Sequence, residues 1–204
     1  MMLHYHSRSD ADEALLGGDL DKGLKLLNEV VNMEPSNERN YVKRYRVYVR
    51  KRKYKEAFAD LTTALSLKPA YKAALAPRAK LGMQLGRCTE AAADLAQLRQ
   101  IDPKASELRD EGAAQECAVA LTRAAQLEAK SDWPGARDAL GVALAHADSS
   151  ADLLTQRATL ALKMRDFYEC VADAGRAIKL APESIPALAI RGRAYYQVLY
   201  FHGV

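Results

Sequence analysis

The 204-residue chain predicts an all-α fold of antiparallel helix pairs, arranged as two subdomains joined by one long helix. Three observations carry that prediction. Apolar residues recur at three- and four-residue spacing in "EAAADLAQLRQ", "ECAVALTRAAQLEAK" and "ADLLTQRATLALK", the pattern of one buried helix face. Turn signals such as "GGD", "EPSN", "KPAY", "IDPK", "SDWPG" and "APES" separate these stretches. Pro35, Pro69 and Pro103 then recur at one constant interval, each closing a similar segment. "AFADLTTALSLKP" from Ala57 aligns with "AAADLAQLRQIDP" from Ala91, with "GLKLLNEVVNMEP" from Gly23 and with "CVADAGRAIKLAP" from Cys170.

Taken in order, residues 1–10 read as a tail or frayed helix and 11–105 as three helix-pair repeats. Residues 106–116 form a spacer, 117–184 two more repeats, and 185–204 the first helix of a further repeat with its tail. The spacer inserts 11 residues and holds no proline or turn pair. Eleven residues are close to three helical turns, so the helix face stays in phase, and one continuous helix is expected from about 105 to 130. Asp132, Thr89 and Asp166 are the expected helix caps, with Pro134 in the first turn after Asp132. Pro77 falls inside a first helix, which should therefore start late or bend.

A helix–turn–helix unit with a period of about 34 residues resembles the tetratricopeptide repeat family. That resemblance implies a right-handed superhelix and small residues where the paired helices touch. The slots hold Ala11, Tyr45, Ala79, Ala124, Ala158 and Gly192 in the first helices, and Gly23, Ala57, Ala91, Ala136 and Cys170 in the second. Tyr45 breaks the rule and should overpack its helix pair, opening or rotating the second repeat. The layout, with "QLEAKSDWPGARDAL" after the spacer and "DLLTQRATLALKMRDFYECVADAGRAIKL" beyond it, is similar to the repeat region of the lumenal J-domain co-chaperones, the inhibitors of the interferon-induced protein kinase. This likeness implies capture of unfolded or extended client polypeptides, transfer to an Hsp70 through a J domain, and the endoplasmic reticulum lumen. The chain has no His-Pro-Asp motif and stops one helix into a repeat, as a fragment or a divergent short form would. Its start, "MMLHYHSRSD", has no apolar core of a secretory signal, which keeps the cytoplasm as the alternative.

The basic residues are concentrated. From Glu38 to Lys55 there are nine Lys/Arg and one acid, in a chain whose net charge is +4. Basic residues interleaved with tyrosines, as in "YVKRYRVYVRKRKYK", read first as a nucleic-acid or anion surface. The repeat divides them differently. Arg44, Arg78, Arg123, Arg157 and Arg191 recur at one slot of the first helix, and Asp60, Asp94 and Asp173 at one slot of the second. Paired across packed helices, they are expected to be framework ion pairs.

The family's groove-lining slots map to Arg8, Asp12, Leu15 and Leu16, then Arg39, Val42, Arg46, Val49 and Arg50, then Lys80, Met83 and Gln84. Such a groove, apolar with a basic stripe, suits extended segments with apolar and acidic side chains. The expected client site is Leu15, Leu16, Arg39, Val42, Arg46, Val49, Arg50, Lys80 and Met83. A scaffold for one fixed partner or peptide is the second reading. The clamp that some relatives use on Hsp70 and Hsp90 tails would need Lys, Asn and Arg where this chain has Arg8, Asp12, Lys43, Ala73 and Pro77, so that mode is excluded. Lys51, Arg52, Lys53 and Lys55 read as a solvated turn, with an RNA or anion contact as the sharper alternative.

No phosphate loop, His-Glu-x-x-His or Cys-x-x-Cys is present, so no catalytic, metal or cofactor site is expected. No apolar run reaches the roughly 20 residues of a membrane span. Cys88, Cys117 and Cys170, scattered and odd in number, read as reduced thiols. Trp133 and Phe167 share a slot in successive repeats and read as core aromatics. The closing "QVLYFHGV" lacks the polar outer face of an array's end.

Overall fold

The structure, a computed structural model, describes the backbone of residues 2–202 and the side chains of 9–200. Among these residues it holds eleven α-helices, one short 3-10 helix and no strand. The helices are α1 (Met2–Leu16), α2 (Leu20–Met33), α3 (Glu38–Arg50), α4 (Tyr54–Leu67), α5 (Lys72–Leu85) and α6 (Cys88–Ile101). After a 3-10 turn at Ser106–Asp110 come α7 (Glu111–Ala129), α8 (Trp133–His146), α9 (Ala151–Lys163), α10 (Phe167–Leu180) and α11 (Ile185–His202). No described helix is long and apolar enough to cross a membrane.

The chain divides into two compact units. Residues 1–81 and 94–108 form unit 1, and residues 82–93 and 109–204 form unit 2. Within unit 1, α1 packs on α2, α3 on α4, and α2 on α3. Within unit 2, α7 packs on α8, α9 on α10, α8 on α9, and α11 on α9 and α10. The chain passes between the units inside α5, inside α6 and, after Leu108, within the expected spacer. The helix expected from residue 105 also starts later, at Glu111. The Asp102 side chain accepts the Lys104 N–H at 3.2 Å, and the Ala105 N–H reaches the Asp102 carbonyl at 3.1 Å. These local bonds turn the chain after Pro103 and compete with helix propagation until Asp110.

Each pair forms because its sequence buries one stripe. In α2, Gly23, Leu27, Val30 and Val31 point inward, at helical spacing. The Asp19 carboxylate caps the Lys22 N–H at 2.9 Å. Asp132 and Asp166 cap Gly135 and Glu169 as expected, at 3.0 and 3.1 Å. Thr89 does not cap, because α6 already begins at Cys88. Pro77 does not delay α5, which starts at Lys72 and carries the proline in its interior.

The close-contact slots are filled as small residues require: Ala11, Ala57, Ala91, Ala136, Ala158 and Cys170 have no exposed surface. Tyr45 does not spring its repeat open. It stays half-buried while Ala57 opposite is closed off, and the Arg44–Asp60 pair of that repeat forms normally. Trp133 is half-buried rather than core, with the Lys163 ammonium 4.1 Å from its ring centroid.

One regularity has no counterpart in the sequence pattern. The turn inside every helix pair uses a left-handed residue at the same slot: Gly18, Arg52, Gly86, Ser131 and Arg165, with φ of 83°, 56°, 76°, 60° and 63°. The next residue's N–H reaches back to the carbonyl five positions earlier, as in Lys53 to Tyr48 at 2.8 Å and Asp132 to Leu127 at 2.9 Å. This is the Schellman closure of a helix end, in which a left-handed L-residue carries steric cost that glycine avoids. Ser131 is exposed, so Ser131→Gly should stabilise by about 0.5–1 kcal/mol, read as a higher melting temperature. A lowered one would show that the serine hydroxyl, not the backbone, sets the turn.

Candidate functional site

The arginine framework explains which cations are free. Arg44 donates through Nε and Nη2 to the two oxygens of Asp60, at 2.9 and 2.6 Å, and through Nη1 to Asn28 at 3.0 Å. Arg78 grips Asp94 in the same way at 2.8 and 2.6 Å, and Arg157 grips Asp173 at 2.6 and 2.7 Å. Each partner lies 16 residues further along. Hydrogen bonds donated to Asp60 and Asp173 push the Arg44 and Arg157 guanidinium pKa values up against the opposing effect of burial. Arg44 also lies between the rings of Tyr41 and Tyr48, 5.7 Å from each centroid, and the Tyr41 hydroxyl donates to the Pro35 carbonyl at 2.9 Å. These three residues of the basic stretch are framework. Arg123 departs from the pattern: it is exposed, and the slot that holds an aspartate in the other repeats is filled by Ala139.

The turn cluster is partly framework as well. Lys51 pairs with Asp21 of α2, and that hydrogen bond, with the charges of Lys51 and Lys53, holds the Asp21 carboxyl below its ordinary pKa. Arg52 is the left-handed residue of the turn, and Lys53 sits at the uncapped N-cap of α4.

The expected client-binding residues separate into three groups. Leu16, Arg39, Arg46, Arg50 and Lys80 are exposed, Leu16 at 89%. Val49, Leu15 and Met83 are half-buried. Leu15 packs against the cluster of Ala11, Leu27 and Val47, where its side chain fills the space beside Gly23. Val42 is only 5% exposed and belongs to the core, because α3 is covered by both α2 and α4. Met83 and Gln84 fall in unit 2, so the face within unit 1 consists of α1, α3 and α5 up to Lys80. Arg8 lies outside the residues whose side chains are described. On this face Lys43 is neutralised by Asp12, at 2.7 and 3.0 Å from its two oxygens. Arg39, Arg46 and Arg50 follow one stripe of α3, and none has an ionic partner among the described residues.

Unit 2 carries a shallow depression of about 520 Å³ lined by Arg137, Asp138, Val142, Arg157 and Glu169. Its charges are matched internally: Arg137 donates to Asp138 at 2.9 Å and to Glu169 at 3.4 Å, and Arg157 is held by Asp173. It presents no free charge to a ligand.

Cys88 of α6 and Cys117 of α7, both in unit 2, are joined by a disulfide. The reading of three free thiols is corrected here. Both cysteines are fully buried and their Cα atoms lie 5.6 Å apart, within bridging reach. Their sequence separation of 29 hid the pairing from any spacing rule. Cys170 remains a free, buried thiol, and burial pushes its pKa up to about 11.

No protein-family model and no curated protein sequence matches the chain. Solved structures do. The crystal structure of the P58(IPK) TPR domain superposes with a TM-score of 0.71 at 24% identity, over 96% of this chain. The fold is the tetratricopeptide repeat. This chain spans 55% of the length of that P58(IPK) chain. A tetratricopeptide repeat protein from Parabacteroides merdae matches with a TM-score of 0.50 at 20% identity, over 96% of this chain and 73% of its own. The first TPR of Spaghetti (RPAP3), bound to the HSP90 peptide SRMEEVD, matches with a TM-score of 0.51 at 18% identity, over 57% of this chain and 93% of its own.

Proposed function

We propose that this tetratricopeptide chain is a protein-interaction module that captures extended polypeptide segments on the α1/α3 face of unit 1, in the manner of a co-chaperone. The observation that carries this reading is the arginine stripe. Of the cations on α3, Arg44 and Lys43 are held by Asp60 and Asp12, while Arg39, Arg46 and Arg50 stand exposed on the helix that carries half-buried Val49, and Leu16 of α1 is exposed as well. Guanidinium groups alternating with apolar surface suit a flexible segment with acidic and apolar side chains. The RPAP3 domain is bound to the HSP90 peptide SRMEEVD, which carries two glutamates and an aspartate. The same mode is not proposed here, because Asp12 and Pro77 occupy two of the positions such a clamp would need and Asp12 already neutralises Lys43. An oxidising, lumenal compartment is the companion proposal, supported by the Cys88–Cys117 disulfide.

The test is binding of a labelled, carboxymethylated and therefore permanently unfolded α-lactalbumin, with native α-lactalbumin and a single-stranded RNA as comparisons. The unfolded form alone should bind. Arg46→Glu combined with Leu16→Asp, both surface changes, should weaken it by about 10-fold or more, ~1.4 kcal/mol. Selective binding of one native protein would favour the scaffold reading. RNA binding with steep salt dependence, lost with Arg39→Glu and Arg46→Glu, would replace the proposal with a nucleic-acid function.

A further inference from the structure

The framework arginines of unit 1 bond backward along the chain as well as forward. Arg44 donates through Nη1 to the amide oxygen of Asn28 at 3.0 Å, and Arg78 donates through Nη1 to the Thr62 hydroxyl at 3.4 Å. Each of these acceptors lies 16 residues before its arginine, in the second helix of the preceding repeat. For Arg157 the same count falls on Gly141 of α8, which has no side chain to offer. A Cβ on Gly141 would stand 3.8 Å from Arg157 Nη1, so that nitrogen borders the space an acceptor would fill. Arg157 commits Nε and Nη2 to Asp173, and its Nη1 has no acceptor among the described residues. Gly141 and Arg157 both line the depression of about 520 Å³. That volume lies within the roughly 300–1,000 Å³ of ligand pockets and far exceeds the about 30 Å³ of one water.

We propose that this depression receives the side-chain carboxamide of an asparagine or glutamine presented by a partner polypeptide, its oxygen accepting from Arg157 Nη1 and its NH2 donating to Glu169. The lining selects that chemistry. Two guanidinium groups, Arg137 and Arg157, stand among three carboxylates, Asp138, Glu169 and the Asp173 held by Arg157, so an incoming carboxylate or phosphate meets net repulsion. An ammonium group cannot accept the free N–H. A carboxamide offers an acceptor and a donor on adjacent atoms, and Glu169 has acceptor capacity left, being held by Arg137 only at 3.4 Å. The chain supplies its own precedent, since Asn28 meets Arg44 through an amide oxygen. The depression is shallow, so a free amide would gain little beyond these bonds. Residues flanking a bound asparagine would also cover exposed Val142 and Ala145. The site lies in unit 2 and is independent of the α1/α3 face.

The probe is the peptide Gly-Ala-Asn-Ala-Gly, acetylated and closed as its N-methylamide, titrated into the full 204-residue protein. Binding is read from the NMR signals of the Gly141 and Val142 amides and the Arg157 Nε–H. Saturable shifts are expected there, about 10-fold tighter than for the same peptide with Ala in place of Asn, the value of one hydrogen bond to a charged group. The Asp peptide should bind no better than the Ala peptide. Gly141→Asn supplies the acceptor from within the chain, as residue 28 does, and should abolish the response. Its Cβ meets Arg157 at an ordinary contact distance, so the fold should persist, as unaltered signals elsewhere would show. Absence of shifts at these three groups, equal binding of the Asn and Ala peptides, or a response indifferent to Gly141→Asn overturns the proposal. Preference for the Asp peptide overturns it in favour of an anion site. Acetamide binding as tightly as the Asn peptide overturns the polypeptide source.

Discussion

Exchanging Arg157 for Met is expected to remove about 3–5 kcal/mol from the stability of unit 2, the cost of leaving a buried carboxylate without its partner. Asp173 is 4% exposed, and Arg157 supplies both of its short hydrogen bonds. A second cation, Arg176, is 4.0 Å away and half solvated, so it can recover a little of the loss and the lower end of the range applies. Urea denaturation measures the effect as a fall in midpoint. An unchanged midpoint would mean that the pair contributes nothing, as many surface pairs do. Replacing both partners, Arg157→Met with Asp173→Leu, should restore most of the loss, because an apolar pair leaves no charge stranded. The client binding proposed for unit 1 should be untouched by either change. That contrast separates a framework pair from a binding residue.

Reducing the Cys88–Cys117 disulfide should cost unit 2 about 3.5 kcal/mol, the loop-closure value for a bridge of this span. Cys88→Ser should do the same without reductant. The thiol count checks the pairing independently of stability. The folded protein should show no thiol that reacts readily at neutral pH, the unfolded unreduced protein one and the reduced protein three. Two reactive thiols beyond Cys170 on unfolding without reductant would refute the bridge. Cys170 contributes a pH effect of its own. Its thiol holds its proton more tightly folded than unfolded, with a pKa of about 11. The associated stability is fully present below the unfolded value, about 9, and is lost as pH rises toward 11.

The repeating architecture was legible because its markers are chemically loud. Pro35, Pro69 and Pro103 each follow a helix end, and an arginine that returns at one slot of the later repeats, even across an insertion, meets an aspartate 16 residues on in three of them. What escaped was quieter. The left-handed turn slot is glycine at positions 18 and 86 but Arg52, Ser131 and Arg165 elsewhere, residues that carry no signature of φ. The Lys51–Asp21 pair joins residues 30 positions apart, and nothing local in the basic run announces it. Counting along a generic first helix puts Val42 on a surface, whereas burial of a helix face depends on which neighbours it has on both sides. Counting slots ranks positions by the average repeat, and the departures from it are where this chain is individual.

The bridge between Cys88 and Cys117 also bears on what proteolysis can do to the molecule. Unit 2 is built from two separated stretches of chain, and residues 94–108 leave it and belong elsewhere. The disulfide ties the short stretch to the long one. A peptide-bond cut anywhere in that excursion would therefore leave every residue of unit 2 covalently attached to the rest, a nicked but unbroken molecule for as long as its surroundings stay oxidising. In a reducing medium the same cut would leave two fragments with no covalent link, so the surrounding redox state decides whether such a nick is a scar or a severance.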